Sequence, residues 1–139
     1  MIYCERSLET EISRYSRHEL LRVIGSVGQE QIKKSRVFVA GLGAQGSIVS
    51  ILLSRAGVGF LRIADLDAPE MHNLHRQILY DEADVISGLP KAEAARKHLL
   101  EGNSRIEIEG VAEAIGPDNV DYHVSGVDLV VDEIGRAHV

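Results

Sequence analysis

From Arg36 onward the chain alternates short β-branched runs with longer stretches of helical spacing. Val37-Phe38-Val39-Ala40 carries no polar residue and predicts a strand buried on both faces. Ser47 to Ala56 is apolar on most faces and closed by Gly57, which predicts a helix packed against a sheet. Leu61 to Ala64 predicts a second strand ending at Asp65. Lys91 to Leu100 places Ala and Leu among charges and stops at Gly102-Asn103, as a surface helix would. Arg105 to Val111 alternates apolar with charged residues and predicts a third, partly exposed strand. Ile115 to Asn119 predicts a turn into a short helix, and Val127 to Asp132 a fourth strand. Ahead of these, Ile12, Tyr15, Leu20, Val23 and Ile24 space a helix over Glu11 to Ile24, and Gln29 to Lys34 a short second one. Strands alternating with helices predict an α/β fold: a Rossmann-like parallel sheet with flanking helices, truncated after the fourth strand, in the order 3-2-1-4.

Composition narrows the class. The 139 residues are 45% hydrophobic and 4% aromatic, enough for one modest core of Val, Ile, Leu and Ala. A net charge of −6 argues against nucleic acid as the main partner, because no basic stripe is available to neutralise a phosphate backbone. The single Cys4 excludes an internal disulfide and a four-cysteine zinc site. There is no apolar run of about 18 residues and no signal-peptide core at the start, so no membrane span is expected and the location expected is cytoplasmic.

Strand one runs directly into Gly41-Leu42-Gly43-Ala44-Gln45-Gly46. In such a loop Gly41 permits the tight turn, Gly43 lets a phosphate approach the backbone, and Gly46 lets helix and strand pack closely. The following helix presents unpaired N–H groups and a positive dipole end to that phosphate. Asp65, about twenty residues on, is placed to accept hydrogen bonds from ribose hydroxyls. The pattern alone leaves NAD, FAD and ATP open, as well as a ligand-free βα turn. The stretch beyond the second strand is richer in cations than a dehydrogenase needs: Asp65-Leu66-Asp67, then Asn73-Leu74-His75-Arg76-Gln77, then Pro90-Lys91. Each residue also has an ordinary explanation. Lys91 comes after a proline at the start of a helix where any polar residue would serve, Asp67 can open a turn before Pro69, and His72 and His75 suit loop surface better than a metal site.

In this order, together with Arg14-Tyr15-Ser16-Arg17-His18, Gly28-Gln29-Glu30 and Ala56-Gly57-Val58-Gly59, these motifs resemble the ThiF/MoeB/HesA family, bacterial relatives of ubiquitin-activating enzymes. The resemblance runs from residue 14 to about 132. It implies ATP-dependent adenylation of the C-terminal glycine carboxylate of a ubiquitin-like sulfur-carrier protein ending in Gly-Gly, with ATP and Mg2+ as cofactors. It further implies that Arg76 and Lys91 are the phosphate cations, that Asn73 and Gln77 position nucleotide and phosphates, and that Asp65, with Asp67 beside it, and the loop glycines bind the nucleotide. Arg17 corresponds to the family arginine that reaches across a dimer interface, which implies a homodimer. Two positions depart from the family: His72 stands where serine is common, and Gln45 where the loop is usually apolar. The competing readings are an NAD(P)-dependent oxidoreductase, which gives Arg76 and Lys91 no role, and a non-catalytic nucleotide-binding partner module.

The family places magnesium-binding aspartates in an Asp-x-x-Asp arrangement after strand four. Asp132 matches the first and the second is missing, so the metal ligand set is unknown and this chain alone is expected to be inactive. A zinc-binding Cys-x-x-Cys pair and a catalytic cysteine belong to the family's C-terminal half, outside this sequence. The last seven residues, Glu133-Ile134-Gly135-Arg136-Ala137-His138-Val139, equal the translation of a common short-read sequencing adapter, AGATCGGAAGAGCACACGTC, read in frame after one G. Residues 1–132 are therefore read as the N-terminal part of a ThiF-type nucleotide-binding domain, and 133–139 as translated adapter. Re-amplifying the locus is expected to replace the codons after Asp132; a transcript encoding this heptapeptide and then a stop would contradict that reading.

Overall fold

The computed structural model describes residues 14–135. Its centre is a four-stranded, all-parallel sheet built from β1 (Arg36–Ala40), β2 (Phe60–Ala64), β3 (Glu107–Val111) and β4 (Leu129–Asp132). The strand order is β3-β2-β1-β4, the order read from the sequence. The register keeps the ends level: Ala40 pairs with Ala64 and with Asp132, and Ala64 with Val111. The loops leaving the strands therefore emerge along one edge, with β1 at the point where the order reverses.

The helices are α1 (Ser16–Glu19), α2 (Gly25–Lys34), α3 (Ala44–Ala56), α4 (Glu82–Ser87), α5 (Lys91–Gly102) and α6 (Val120–Val124). The pleat sends alternate residues of β1 to opposite faces. Val37 and Val39 join Leu61, Ile63, Leu42, Ile108 and the alanines of α5 in the main core, whereas Phe38, Ala40 and Ala64 form a smaller cluster with Ile115, Val124 and Val127 on the other face. Leu61 is fully buried, and its loss to alanine should cost about 2–5 kcal/mol.

One expectation needs correcting, and two features go beyond the sequence reading. Within the described part of the N-terminal helix expected over Glu11 to Ile24, Arg14 and Ser16–Glu19 are helical but Tyr15 and 20–24 are not; residues 11–13 lie outside the described range. The chain turns through 20–24 and starts a new helix at Gly25, whose positive φ of 59° breaks the line. Second, α3 buries its small residues, Gly46, Ser47, Ser50 and Ser54, and leaves Ile48 and Leu52 exposed. The cause is distance: α3 lies so close to the loop after β1 that a Cβ on Gly46 would sit 1.8 Å from the Gly41 carbonyl oxygen. Third, α4 was not foreseen.

Buried polar residues hold the N-terminal helices to this layer. Gln29 donates to the Ala56 carbonyl at 2.9 Å, and its amide oxygen meets His18 Nδ1 at 2.8 Å. Asn103, with no exposed surface, donates to the Tyr15 hydroxyl and the Ser54 carbonyl, each at 2.8 Å. These contacts supply a physical role for the Gly28-Gln29-Glu30 motif: α1 is pinned to the C-terminal end of α3. No described helix is long and apolar enough to cross a membrane.

Helix α4 is capped reciprocally. Asp81 Oδ1 accepts from the Asp84 N–H at 2.9 Å, and Asp84 Oδ2 from the Asp81 N–H at 3.0 Å. His98 of α5 places Nε2 2.7 Å from Asp84 Oδ2 and Nδ1 3.3 Å from Glu101 Oε2. Burial works against a charged imidazole here, but the hydrogen bonds and charges of Asp84 and Glu101 outweigh it and raise the His98 pKa above its ordinary value. A pKa raised in the folded state stabilises fully below the unfolded value and is lost as pH rises through the folded one. The melting-temperature deficit of His98→Ala is accordingly expected to be largest near about pH 6 and to shrink toward about pH 9. A deficit independent of pH would mean that the pair holds α4 by packing alone.

Candidate active site

The site is assembled on the level strand ends. Gly41 leaves β1 with a φ of 93°, and its missing side chain admits the Glu133 carbonyl, which would lie 2.3 Å from a Cβ there. That contact, with the Glu133 N–H bonding the Ala40 carbonyl at 2.8 Å, is made by backbone and is indifferent to the side chain at 133. Gly43 precedes α3, which has no side-chain cap, so the amides of its first turn are open to an anion. A Cβ on Gly43 would meet nothing nearer than the Gln77 amide nitrogen at 3.9 Å. The three glycines thus differ in geometry: a positive-φ turn at Gly41, open space at Gly43 and a close packing contact at Gly46.

Leu42 connects this loop to the rest. Its N–H donates to Asp65 Oδ2 at 2.8 Å, and its carbonyl accepts from Tyr80 Oη at 2.8 Å and from Ser47 Oγ at 3.1 Å. The other oxygen of Asp65, Oδ1, accepts the Asp67 N–H at 2.8 Å. The Asp67 carbonyl accepts the Lys91 N–H at 2.8 Å, and the Asp67 carboxylate stands 3.9 Å from Lys91 Nζ. Glycine loop, Asp65, Asp67 and Lys91 therefore form one continuous bonded path. The Lys91 side chain is 7% exposed, so it is no solvated surface lysine. Its buried side chain faces the exposed Asp67 carboxylate.

Residues 70–77 form the third part. Asn73 is buried, and its side-chain oxygen accepts the Glu70 N–H at 3.0 Å within a 3-10 turn over Met71–Asn73. Its carbonyl receives the N–H groups of Arg76 and Gln77. Gln77 is 5% exposed, and its amide oxygen is buried without a hydrogen-bond partner. Arg76 is exposed; its guanidinium donates to the His72 carbonyl at 2.9 Å and lies 3.4 Å from His75 Nε2. His75 Nδ1 is itself 3.0 Å from the His72 carbonyl, the acceptor that Arg76 also uses. Gln45 is exposed. A cavity of about 360 Å³ opens between Gly41, Asp65, Asp67, Glu113 and Ile115, beside the loop.

Arg17 is not brought to this cluster. Helix α1 is tied to the far end of α3, and thirteen helical residues separate that end from Gly43, about 20 Å. Among the described residues, the one His and carboxylate group compact enough to hold a metal ion is Asp81, Asp84 and His98, which the cap of α4 already employs. Sequence reading missed Tyr80 and Leu42: one is an aromatic in a loop, the other acts through its backbone.

A glycine loop, an acid at the tip of β2 and a buried lysine joined by backbone hydrogen bonds are matched by a wider likeness. The ThiF family model matches residues 15–136. The chain belongs to the ThiF family. It is 40% identical over 119 residues to the sulfur carrier protein ThiS adenylyltransferase of Bacillus subtilis, covering 86% of this chain and 35% of that protein. Against the sulfur carrier protein adenylyltransferase of Thermus thermophilus it is 38% identical over 127 residues, covering 91% of this chain and 46% of the relative. Among solved structures, E. coli tRNA N6-threonylcarbamoyladenosine dehydratase, TcdA, superposes with a TM-score of 0.82 at 28% identity, over 90% of this chain and 51% of that one. E. coli MccB, crystallised with ATP, gives 0.74 at 32% identity, over 88% and 37%. The chain thus spans about a third to a half of the length of the relatives it matches.

The two inner glycines of the loop separate folding from binding. Gly46→Ala is expected to destabilise by about 3 kcal/mol or more, because helix and loop must part. Gly43→Ala should keep near-native stability while weakening nucleotide triphosphate binding. Thermal melts and calorimetric titration of both variants test this; equal stability loss in the two would contradict it.

Proposed function

We propose that the protein is the nucleotide-binding part of an ATP-dependent adenylyltransferase acting on the C-terminal glycine carboxylate of a ubiquitin-like sulfur-carrier protein. The observation that carries this reading is the buried Lys91, linked through Asp67 and Asp65 to a glycine loop whose open side at Gly43 adjoins the side-chain amide nitrogen of the buried Gln77. A ligand-free turn has no use for a buried ammonium or an orphaned buried amide. A dehydrogenase site gives Arg76 and Lys91 nothing to neutralise.

In the proposed reaction the carrier's carboxylate oxygen forms a bond to the α-phosphorus of ATP while the bond to pyrophosphate breaks. Arg76 and Lys91 hold the triphosphate and offset the charge on the departing pyrophosphate. Amides of the α3 first turn bind phosphate oxygens, and Gln77 orients them. Asp65 retains lone pairs beyond those taken by Leu42 and Asp67, which suits the ribose hydroxyls. Arg76 would turn from the His72 carbonyl to the phosphates on binding.

The residues fit ATP better than they fit magnesium. Asp132 is exposed and its Oδ1 accepts the Ile134 N–H at 3.1 Å, while Gly135 stands where a second carboxylate is implied. One carboxylate does not make a two-aspartate site, and no step is routed through the metal. The reading of residues 133–139 as translated adapter accounts for that gap, and a zinc-binding Cys-x-x-Cys pair would belong to the continuation of the chain. The exposed Leu20, Val23 and Val27, close in sequence to Arg17, support a homodimer in which Arg17 serves the partner's site. A cytoplasmic location goes with this reading.

Isotope exchange between pyrophosphate and ATP tests the proposal. The 139-residue chain should bind ATP yet exchange slower, by orders of magnitude, than a chain completed from the re-amplified locus. In the completed chain exchange should require a carrier ending in Gly-Gly and fall at least about a hundredfold in Arg76→Ala. Binding without exchange in the completed chain would make the protein a nucleotide-binding partner module.

A further inference from the structure

Tyr80 belongs to none of the motifs that mark the nucleotide site, yet it makes the contact that joins two of them. It sits three residues beyond Gln77, and its N–H bonds the Gln77 carbonyl at 3.2 Å, closing the segment that carries Asn73, Arg76 and Gln77. Its side chain runs back through the main core, 6% exposed, and its hydroxyl reaches the Leu42 carbonyl at 2.8 Å, between Gly41 and Gly43. Burial, opposed in part by a hydrogen bond with the Ser47 hydroxyl and reinforced by the charges of Asp65 and Asp84, raises the phenol far above its ordinary pKa, so it is a hydrogen-bond donor throughout the physiological range. Among the described residues this is the side-chain bond from the segment just past Arg76 and Gln77 to the backbone of the glycine loop.

We propose that Tyr80 is a positioning residue for the triphosphate: its hydroxyl sets the distance between the glycine loop and the Arg76–Gln77 segment, so that both meet the same phosphates. The proposal rests on the reading of the site as one that binds ATP. Ser47 supplies an internal comparison, because its hydroxyl donates to the same Leu42 carbonyl at 3.1 Å from α3 itself. Ser47 ties the loop to its own helix; Tyr80 ties it to the opposite wall. A merely structural hydroxyl at 80 would behave like the one at 47.

The test is calorimetric titration of ATP and AMP into the full chain and its Tyr80→Phe and Ser47→Ala variants, with amide hydrogen exchange of the glycine loop in each. Tyr80→Phe is expected to weaken ATP by about two- to tenfold, the worth of one neutral hydrogen bond, while AMP changes by less than about twofold. The Leu42 and Ser47 amides, bonded to Asp65 and to the Gly43 carbonyl, should lose protection in the same variant without global unfolding. Ser47→Ala should lower stability yet leave the ratio of ATP to AMP affinity at the wild-type value. An unchanged ratio in Tyr80→Phe, or the same shift in Ser47→Ala, overturns the positioning role while leaving ATP binding intact. A wild-type chain that binds neither nucleotide refutes the ATP reading and this proposal with it.

Discussion

The hydrogen bond from the Leu42 N–H to the Asp65 carboxylate is the contact on which the candidate site depends. It crosses from the loop after β1 to the end of β2, and the same carboxylate takes the Asp67 N–H, which sets the path of the chain to Lys91. A carboxylate that accepts two backbone amides is held in one orientation, so Asp65 is the frame of the candidate site. The glycine loop, Asp65 and the buried Lys91 are therefore not independent features that happen to adjoin.

Close packing imposes the second constraint. Helix α3 must start beside the loop after β1 and still lie on the sheet, and only small residues allow both. Gly46 meets the Gly41 carbonyl, and Ser47, Ser50 and Ser54 continue the buried face. The bulkier Ile48 and Leu52 are turned outward, together with Leu20, Val23 and Val27 of the N-terminal helical region. This close packing thus leaves apolar surface for some other element or chain to cover.

The fold was legible because the central strands are buried on both faces and read as mainly apolar runs, interrupted in β2 only by Arg62, with glycine and aspartate marking their ends. Strand order followed from the alternation with helices. The buried face of α3 was not legible, since hydrophobicity points to Ile48 and Leu52 while closeness selects serine and glycine. Helix α4 escaped because its six residues are short on apolar spacing and its capping pair, Asp81 and Asp84, acts only once folded. In the site, the glycines and Asp65 announced themselves by spacing, whereas Lys91 stood out only through the family resemblance. Tyr80 and Leu42 did not, because one works through a long-range contact and the other through its backbone.

Competitive titration of the chain with ATP and NADH tests the central claim most directly. The account predicts that ATP binds more tightly than AMP, that Lys91→Ala erases this difference, and that NADH does not displace ATP. Preferential NADH binding, unaffected by Lys91→Ala, would contradict it.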